Sequence, residues 1–230
     1  MYFDFDYYQP KIFKRGKTLI GGVGVNDMDL STKIVLENGK VVKCPVYDIW
    51  RQMLLRETRD YQEKYPHYKG TTVCQEWKYR SNFYNWMEQN NWKEGICIDK
   101  DILDPYNKQY HPEKCTLVPI YINSLLTDRK NHERNWPLGV SKENTGRAKC
   151  YVGQCNIEKK RSVRLGRFHT PEEAHQAYQL SKSEEIKRVA EKSFYNKEIT
   201  LAAYEALIKR YEKVIWEYEN GLETKSIHHY

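Results

Sequence analysis

Trp92 to Leu126 reads WKEGICIDKDILDPYNKQYHPEKCTLVPIYINSLL, and the fold of the chain turns on how this stretch is parsed. A short apolar run, Ile96 to Ile98, delivers Asp99, Lys100 and Asp101. After a polar loop, a second run, Thr116 to Val118, leads into a helix-like segment carrying Asn123. Period and breakers therefore predict strand, loop, strand, helix. Asp99 and Asn123 carry hard oxygen donors, which such a unit could bring together on one divalent ion, with positions left open for a phosphate and a water. The plainer reading of the same residues is capping, since Asp and Asn commonly close loops and helix starts.

On these residues the stretch resembles the ββα-metal core of the His-Asn-His (HNH) endonucleases. The resemblance implies that Asp99 and Asn123 are metal ligands, for Mg²⁺ or Mn²⁺. Lys100 stands where that family places its general-base His, and Cys115 where the Asn that orients the base is expected. Lys100 is thus the first catalytic candidate, with Asp101 and His111 as groups that could orient a water instead. A lysine near its ordinary pKa of about 10.4 is protonated at neutral pH, so a base at this position needs a strongly perturbing site.

Outward from this core, 230 residues are enough for one large or two small domains. A net charge of +7, spread along the chain, suits a polyanionic partner and equally an ordinary solvated surface. Six cysteines include no Cys-x-x-Cys pair and no zinc-type spacing with His. Cys150 and Cys155 fall at odd separation in a strand pattern, which places them on opposite sides and excludes a local disulfide. No apolar run approaches a membrane span, and MYFDFDYYQPK has an acidic start without an apolar core. The expectation is a cytoplasmic protein with reduced thiols, without a membrane or small-molecule cofactor.

Before the core, Asn38-Gly39 between Ile34-Val35-Leu36 and Val41-Val42 is a hairpin signal. Val46, Trp50, Met53 and Leu54 recur at helical spacing, and EWKYRSNFYNWMEQN is a second helical candidate that turns Trp77, Phe83, Trp86 and Met87 toward the core. The succession Tyr47, Trp50, Met53-Leu54, Arg56, Tyr65-Pro66, Tyr68-Lys69-Gly70, Val73-Cys74, Glu76-Trp77, Phe83, Trp86, Asp99-Lys100-Asp101 and Asn123 looks like bacteriophage proteins that join a degenerate HNH core to a DNA-binding domain.

After the core, TDRKNHERNWP is dense in charge and ends at Pro137, the pattern of a linker. Three β-like segments follow, at about 138 to 141, 148 to 156 and 161 to 168. A helix then opens with Thr170 as N-cap, Pro171 in the first turn and Glu173 completing a capping box. Gly139-Val140, Leu165-Gly166, Phe168, Thr170, Glu173-Ala174 and Ala177-Tyr178 resemble the plant apetala-type DNA-binding domain. That resemblance implies a three-stranded antiparallel sheet in the major groove, with the helix on its other face. Strict alternation then turns Tyr151, Gly153, Cys155, Val163 and Leu165 toward the helix and Val152, Gln154, Asn156, Ser162 and Arg164 toward DNA. Lys142, Arg147, Lys149, Lys159, Lys160 and Arg161, in or near the turns, are expected on phosphates. A final apolar face from Ile199 to Tyr218 predicts a helix that covers a core, while His228 and His229 are expected to be unanchored.

Taken together, the sequence predicts an α+β chain: residues 1–127 as an N-terminal domain with the HNH-like core at 92–126, a basic linker at 128–137, an apetala-like module at 138–196 and a C-terminal helix at 197–220. The resemblances imply a phage-type protein in the host cytoplasm that binds double-stranded DNA and nicks it like a homing endonuclease. The alternative is a cleavage-deficient regulator or anti-defence protein, acting by binding DNA or a protein partner.

Overall fold

The computed structural model describes residues 19–127, 136–143, 148, 150–157 and 160–228. The chain is α+β and divides into two compact units, Met1–Leu117 and Val118–Tyr230. The division thus falls ahead of the charged segment 128–135, which lies outside the described residues.

In the first unit, β1 (Lys33–Val35) and β2 (Val41–Lys43) form the expected antiparallel hairpin. Gly39 takes φ +76° at its turn, a conformation that glycine adopts without a Cβ clash. Helix α1 (Pro45–Leu55) opens on its proline and buries Val46, Trp50, Met53 and Leu54, the face read from their spacing. The short helix α2 (Arg59–Lys64) follows, then β3 (Thr72–Val73) and a single 3₁₀ turn, Glu76–Lys78. Helix α3 (Arg80–Gln89) begins only after that turn, so the continuous helix expected from Glu76 is interrupted at Tyr79. The cause is tertiary: Val25 donates to the Lys78 carbonyl at 2.8 Å and accepts from the Arg80 N–H at 3.0 Å, which draws Tyr79 into a β-bridge.

Trp50 and Trp77 anchor this core. Both are fully buried, and the Trp50 indole donates to the Trp77 carbonyl at 2.7 Å. Around them pack Phe83 and Met87 of α3. Arg80 is also buried, donating to Asn26 and to the Leu30 carbonyl while its guanidinium lies over Tyr47. The strands β4 (Ile96–Asp99), β5 (Gln109–Tyr110) and β6 (Thr116–Pro119) appear where the apolar runs place β4 and β6. β4 pairs with β6, and β5 runs parallel to β3.

The second unit contains α4 (Ile120–Leu126), the antiparallel sheet β7 (Val140–Lys142), β8 (Tyr151–Ile157) and β9 (Lys160–Phe168), and the long helices α5 (Pro171–Tyr195) and α6 (Leu201–Glu219). Thr170 caps α5 as expected, its hydroxyl accepting from the Glu173 N–H at 3.2 Å. The Glu173 carboxylate reaches back one residue further than a capping box would, to the His169 N–H at 3.0 Å. Two α5 side chains tie α4 to the helix: Lys182 donates to the Leu125 carbonyl at 2.6 Å, and Ser193 shares a hydrogen bond with Tyr121 at 2.7 Å. Among the described residues, no helix is long and apolar enough to cross a membrane.

The expectation of an unanchored His228 is corrected. Thr224 and Ile227 are buried, and the buried Arg210 of α6 donates to the His228 carbonyl at 3.1 Å. His229 lies outside the described residues. A polar chain that no periodicity reveals holds this segment. Thr224 donates its N–H to His175 Nε2 at 3.0 Å and its hydroxyl to Glu217 at 2.6 Å. Gln179 donates to the Thr224 hydroxyl and to the Leu222 carbonyl.

His175 must be neutral to serve both of its partners. Its Nδ1 faces the Leu138 carbonyl at 2.8 Å, which can only accept, so Nδ1 carries the proton and Nε2 accepts from Thr224. Burial lowers its pKa below the ordinary 6.5, with the Leu138 carbonyl, Glu223 and Glu217 opposing the shift. The unfolded chain therefore takes up this proton first as pH falls. Stability from the network is complete above about pH 6.5 and is lost as pH drops toward the lower folded-state value. The thermal midpoint is expected to decline below about pH 6.5, with a flatter decline for His175→Gln, in unfolding curves followed by circular dichroism.

Candidate nucleic-acid interface

The strands β7, β8 and β9 hold Lys142, Gln154, Asn156 and Arg164 of the sequence-derived contacts, and α5 closes one face of the sheet. Two glycines make that closure possible. A Cβ on Gly153 would stand 2.9 Å from the Ala174 carbonyl, so only glycine lets the α5 backbone lie directly against β8. Gly139 has φ +74°, and a Cβ there would meet the Tyr178 ring at 2.1 Å. Cys155 faces the same helix, its buried thiol pushed up to about 11 by desolvation and influenced by Lys182 and Glu185 of α5.

With Gly153 and Cys155 turned toward α5, alternation puts Gln154 on the opposite side. There its amide donates to the Ser141 hydroxyl of β7, while its cross-strand partner on β9 is Arg164. Arg164 and Arg167 both pair with the Glu143 carboxylate, just beyond β7, and Arg167 Nε donates to it at 3.0 Å. The two guanidiniums, Arg167 foremost, hold the Glu143 pKa below the usual carboxylate range, which fixes it as an anion.

Arg167 and Glu143 escape a reading by strict alternation. Gly153 pairs with Gly166 but Gln154 pairs with Arg164, so Leu165 is the extra residue of a β-bulge. The extra residue reverses parity along β9. Arg164 and Arg167, three apart in sequence, consequently lie across from Gln154 and Val152, which share one side of β8. Gly166 was the available signal, because glycine inside a strand pattern often marks a bulge. Val152 lies on the side expected for it but is fully buried there, so it offers no contact.

Of the other expected DNA contacts, Lys142 is exposed and lies over the rings of Trp136 and Tyr151, 5.7 and 5.5 Å from their centroids. Asn156 is exposed on β8. Lys160, Arg161 and Ser162 lie in β9. Arg147, Lys149 and Lys159 fall outside the described residues.

The other group of candidates divides between the two units: Asp99, Lys100, Asp101 and His111 belong to the first, Asn123 to the second. Asp99 ends β4 and serves the loop after it. Its Oδ1 accepts from the N–H groups of both Asp101 and Ile102, each at 2.7 Å. Lys100, only 5% exposed, pairs with Asp101 and reaches the Asn107 carbonyl at 3.4 Å. Asn107, which the sequence reading passed over, donates to the Lys100 and Gln109 carbonyls at 2.8 and 2.9 Å and so closes the loop. His111 Nδ1 accepts from the Glu113 N–H at 3.2 Å, and Asn123 is exposed on α4, its carbonyl accepting from Thr127.

Within the first unit, Asp99 holds the turn that follows β4. One carboxylate oxygen is occupied by two N–H groups, and the Lys100 ammonium lies beside it in sequence. Desolvation pushes the Cys115 thiol up to about 12. Among the described residues, no three His, Cys, Asp or Glu gather where they could hold a metal ion.

Lys100 is buried in this loop and forms an ion pair with Asp101. Lys100→Met, which keeps most of the side-chain volume, is expected to cost roughly 1–3 kcal/mol, because Asp101 loses an ionic partner in a half-buried site. Lys108→Met, at an exposed position in the same loop, is expected to stay within about 0.5 kcal/mol in the same urea titration.

No protein-family model matches this chain, and it matches no curated protein and no solved structure.

Proposed function

We propose that the chain is a sequence-dependent double-stranded DNA-binding protein that presents the face of β7–β9 opposite α5 to the duplex. The observation that carries this reading is the row formed by Ser141, Gln154, Arg164 and Arg167 around Glu143. A β-ribbon fits the major groove. There an Arg fork matches guanine O6 and N7, and a Gln amide matches adenine N6 and N7. The surplus of +7 supports a polyanionic partner and supplies affinity that does not depend on sequence. The resemblance to the apetala-type domain points the same way.

In this reading the protein acts by binding, as a regulator or an anti-defence factor. The pairing of Lys100 with Asp101 and its reach to the Asn107 carbonyl give that side chain partners within its own loop, which supports the binding reading. The second reading is an HNH-like nickase that uses Mg²⁺ or Mn²⁺, favoured by the observed succession of β4, loop, β6 and α4.

Fluorescence anisotropy with a labelled duplex selected from a random pool by repeated binding to the unmodified protein tests the first reading. Arg164→Gln combined with Arg167→Gln is expected to lower duplex affinity by roughly tenfold or more, while Lys192→Gln on the exposed side of α5 leaves it unchanged. An affinity unmoved by the double change would sink the sheet assignment. Incubation with supercoiled plasmid separates the second reading. Nicking that appears with Mg²⁺ or Mn²⁺, vanishes with EDTA and is lost in Asp99→Asn would make the chain an endonuclease.

A further inference from the structure

The Glu143 carboxylate is an anion held by two arginines on a face proposed to meet a polyanion. It has no part in closing the sheet on α5, where glycine contacts and buried side chains suffice. Its partners Arg164 and Arg167 come together only because the Leu165 bulge reverses the strand's parity. The bulge and the carboxylate thus build one arrangement, in which two guanidiniums converge on a single acidic group.

From this arrangement we infer that Glu143 is a specificity-determining residue, an internal anion that withholds Arg164 and Arg167 from indiscriminate phosphate contact. The inference rests on the DNA-binding reading above. While Glu143 occupies the two forks, a phosphate gains little by approaching them, because it must displace an acceptor of the same charge. A base edge is a different kind of partner. Guanine O6 and N7 accept from one fork of an arginine, and the Glu143 carboxylate can retain other N–H groups of the same guanidinium. Glu143 therefore penalises phosphate contact at these two arginines more than base contact. Three groups share the exchange: the two arginines supply the donors, and Glu143 sets which acceptor can compete for them.

The test compares the full-length protein with Glu143→Gln, which keeps shape and an acceptor oxygen while removing the charge. The probes are a short random-sequence duplex pool and a duplex selected from that pool by repeated binding to the unmodified protein. Glu143→Gln is expected to bind the random pool about tenfold more tightly, with a smaller gain on the selected duplex, so that the preference between them falls. The released arginines add one or two phosphate contacts, so the variant should lose about three- to twelvefold more of its affinity than the unmodified protein between about 50 and 200 mM salt. Adding Arg164→Gln and Arg167→Gln to Glu143→Gln should erase both gains, which assigns them to these side chains and not to net charge. Glu143→Ser repeats the comparison should the glutamine variant fold poorly.

If the unmodified protein binds duplex while both Glu143 variants leave the random-pool affinity and salt slope unchanged, this inference fails and the DNA-binding reading stands. A preference that rises on removing the carboxylate would likewise overturn it. If neither the unmodified protein nor any variant binds duplex at low salt, the DNA-binding reading fails and takes the inference with it.

Discussion

The contact between Gly153 and the Ala174 carbonyl governs the second unit. A strand and a helix usually lie apart by the thickness of their side chains. Here the absence of a Cβ lets the α5 backbone rest almost directly on β8. Gly139 repeats the device against Tyr178 at the edge of the same sheet. With one face sealed so closely, the polar row on the other face is presented by a rigid support. Rigidity matters to hydrogen-bonded recognition, which loses its discrimination when donors can wander by an ångström.

The first unit relies on a different economy, in which polar groups organise what apolar packing begins. Trp50 and Trp77 bury the bulk, but the indole hydrogen bond and the Arg80 guanidinium decide how the neighbouring chain is laid over them. The loop between β4 and β5 follows the same logic. Asp99 and Asn107 bind loop N–H and C=O groups that would otherwise be buried without partners, and the Lys100–Asp101 pair sits between them. Residues of types that can serve catalysis thus also close the loop by their position.

How much of this was legible in the sequence depended on the range of the interaction. The Asn38-Gly39 turn, the buried face of α1, the strands flanking the 100–115 loop and the Thr170 cap were all readable, because each is decided by residues a few positions apart. The break at Tyr79 was not, since Val25 lies far away in sequence and supplies the competing hydrogen bonds. The packed segment through His228 was missed for the same reason: its anchors, His175, Gln179 and Arg210, sit on helices read only for their apolar stripes. The outward row was half legible. Gln154 and Arg164 followed from alternation, and Arg167 did not, because alternation assumes an unbroken ladder.

The bulge at Leu165 has a consequence for how such a surface can change over time. In a regular ladder, a single substitution alters one side chain and leaves the rest where they were. Around a one-residue insertion, the loss or gain of a single codon reverses which side chains face outward along one arm of the strand. Removal of Leu165 would turn one arginine of the pair toward the helix and break the charge group without altering any of its members. A face of this construction can thus be rewritten by slippage as readily as by replacement, and its history would be invisible to a comparison that counts only amino-acid identities.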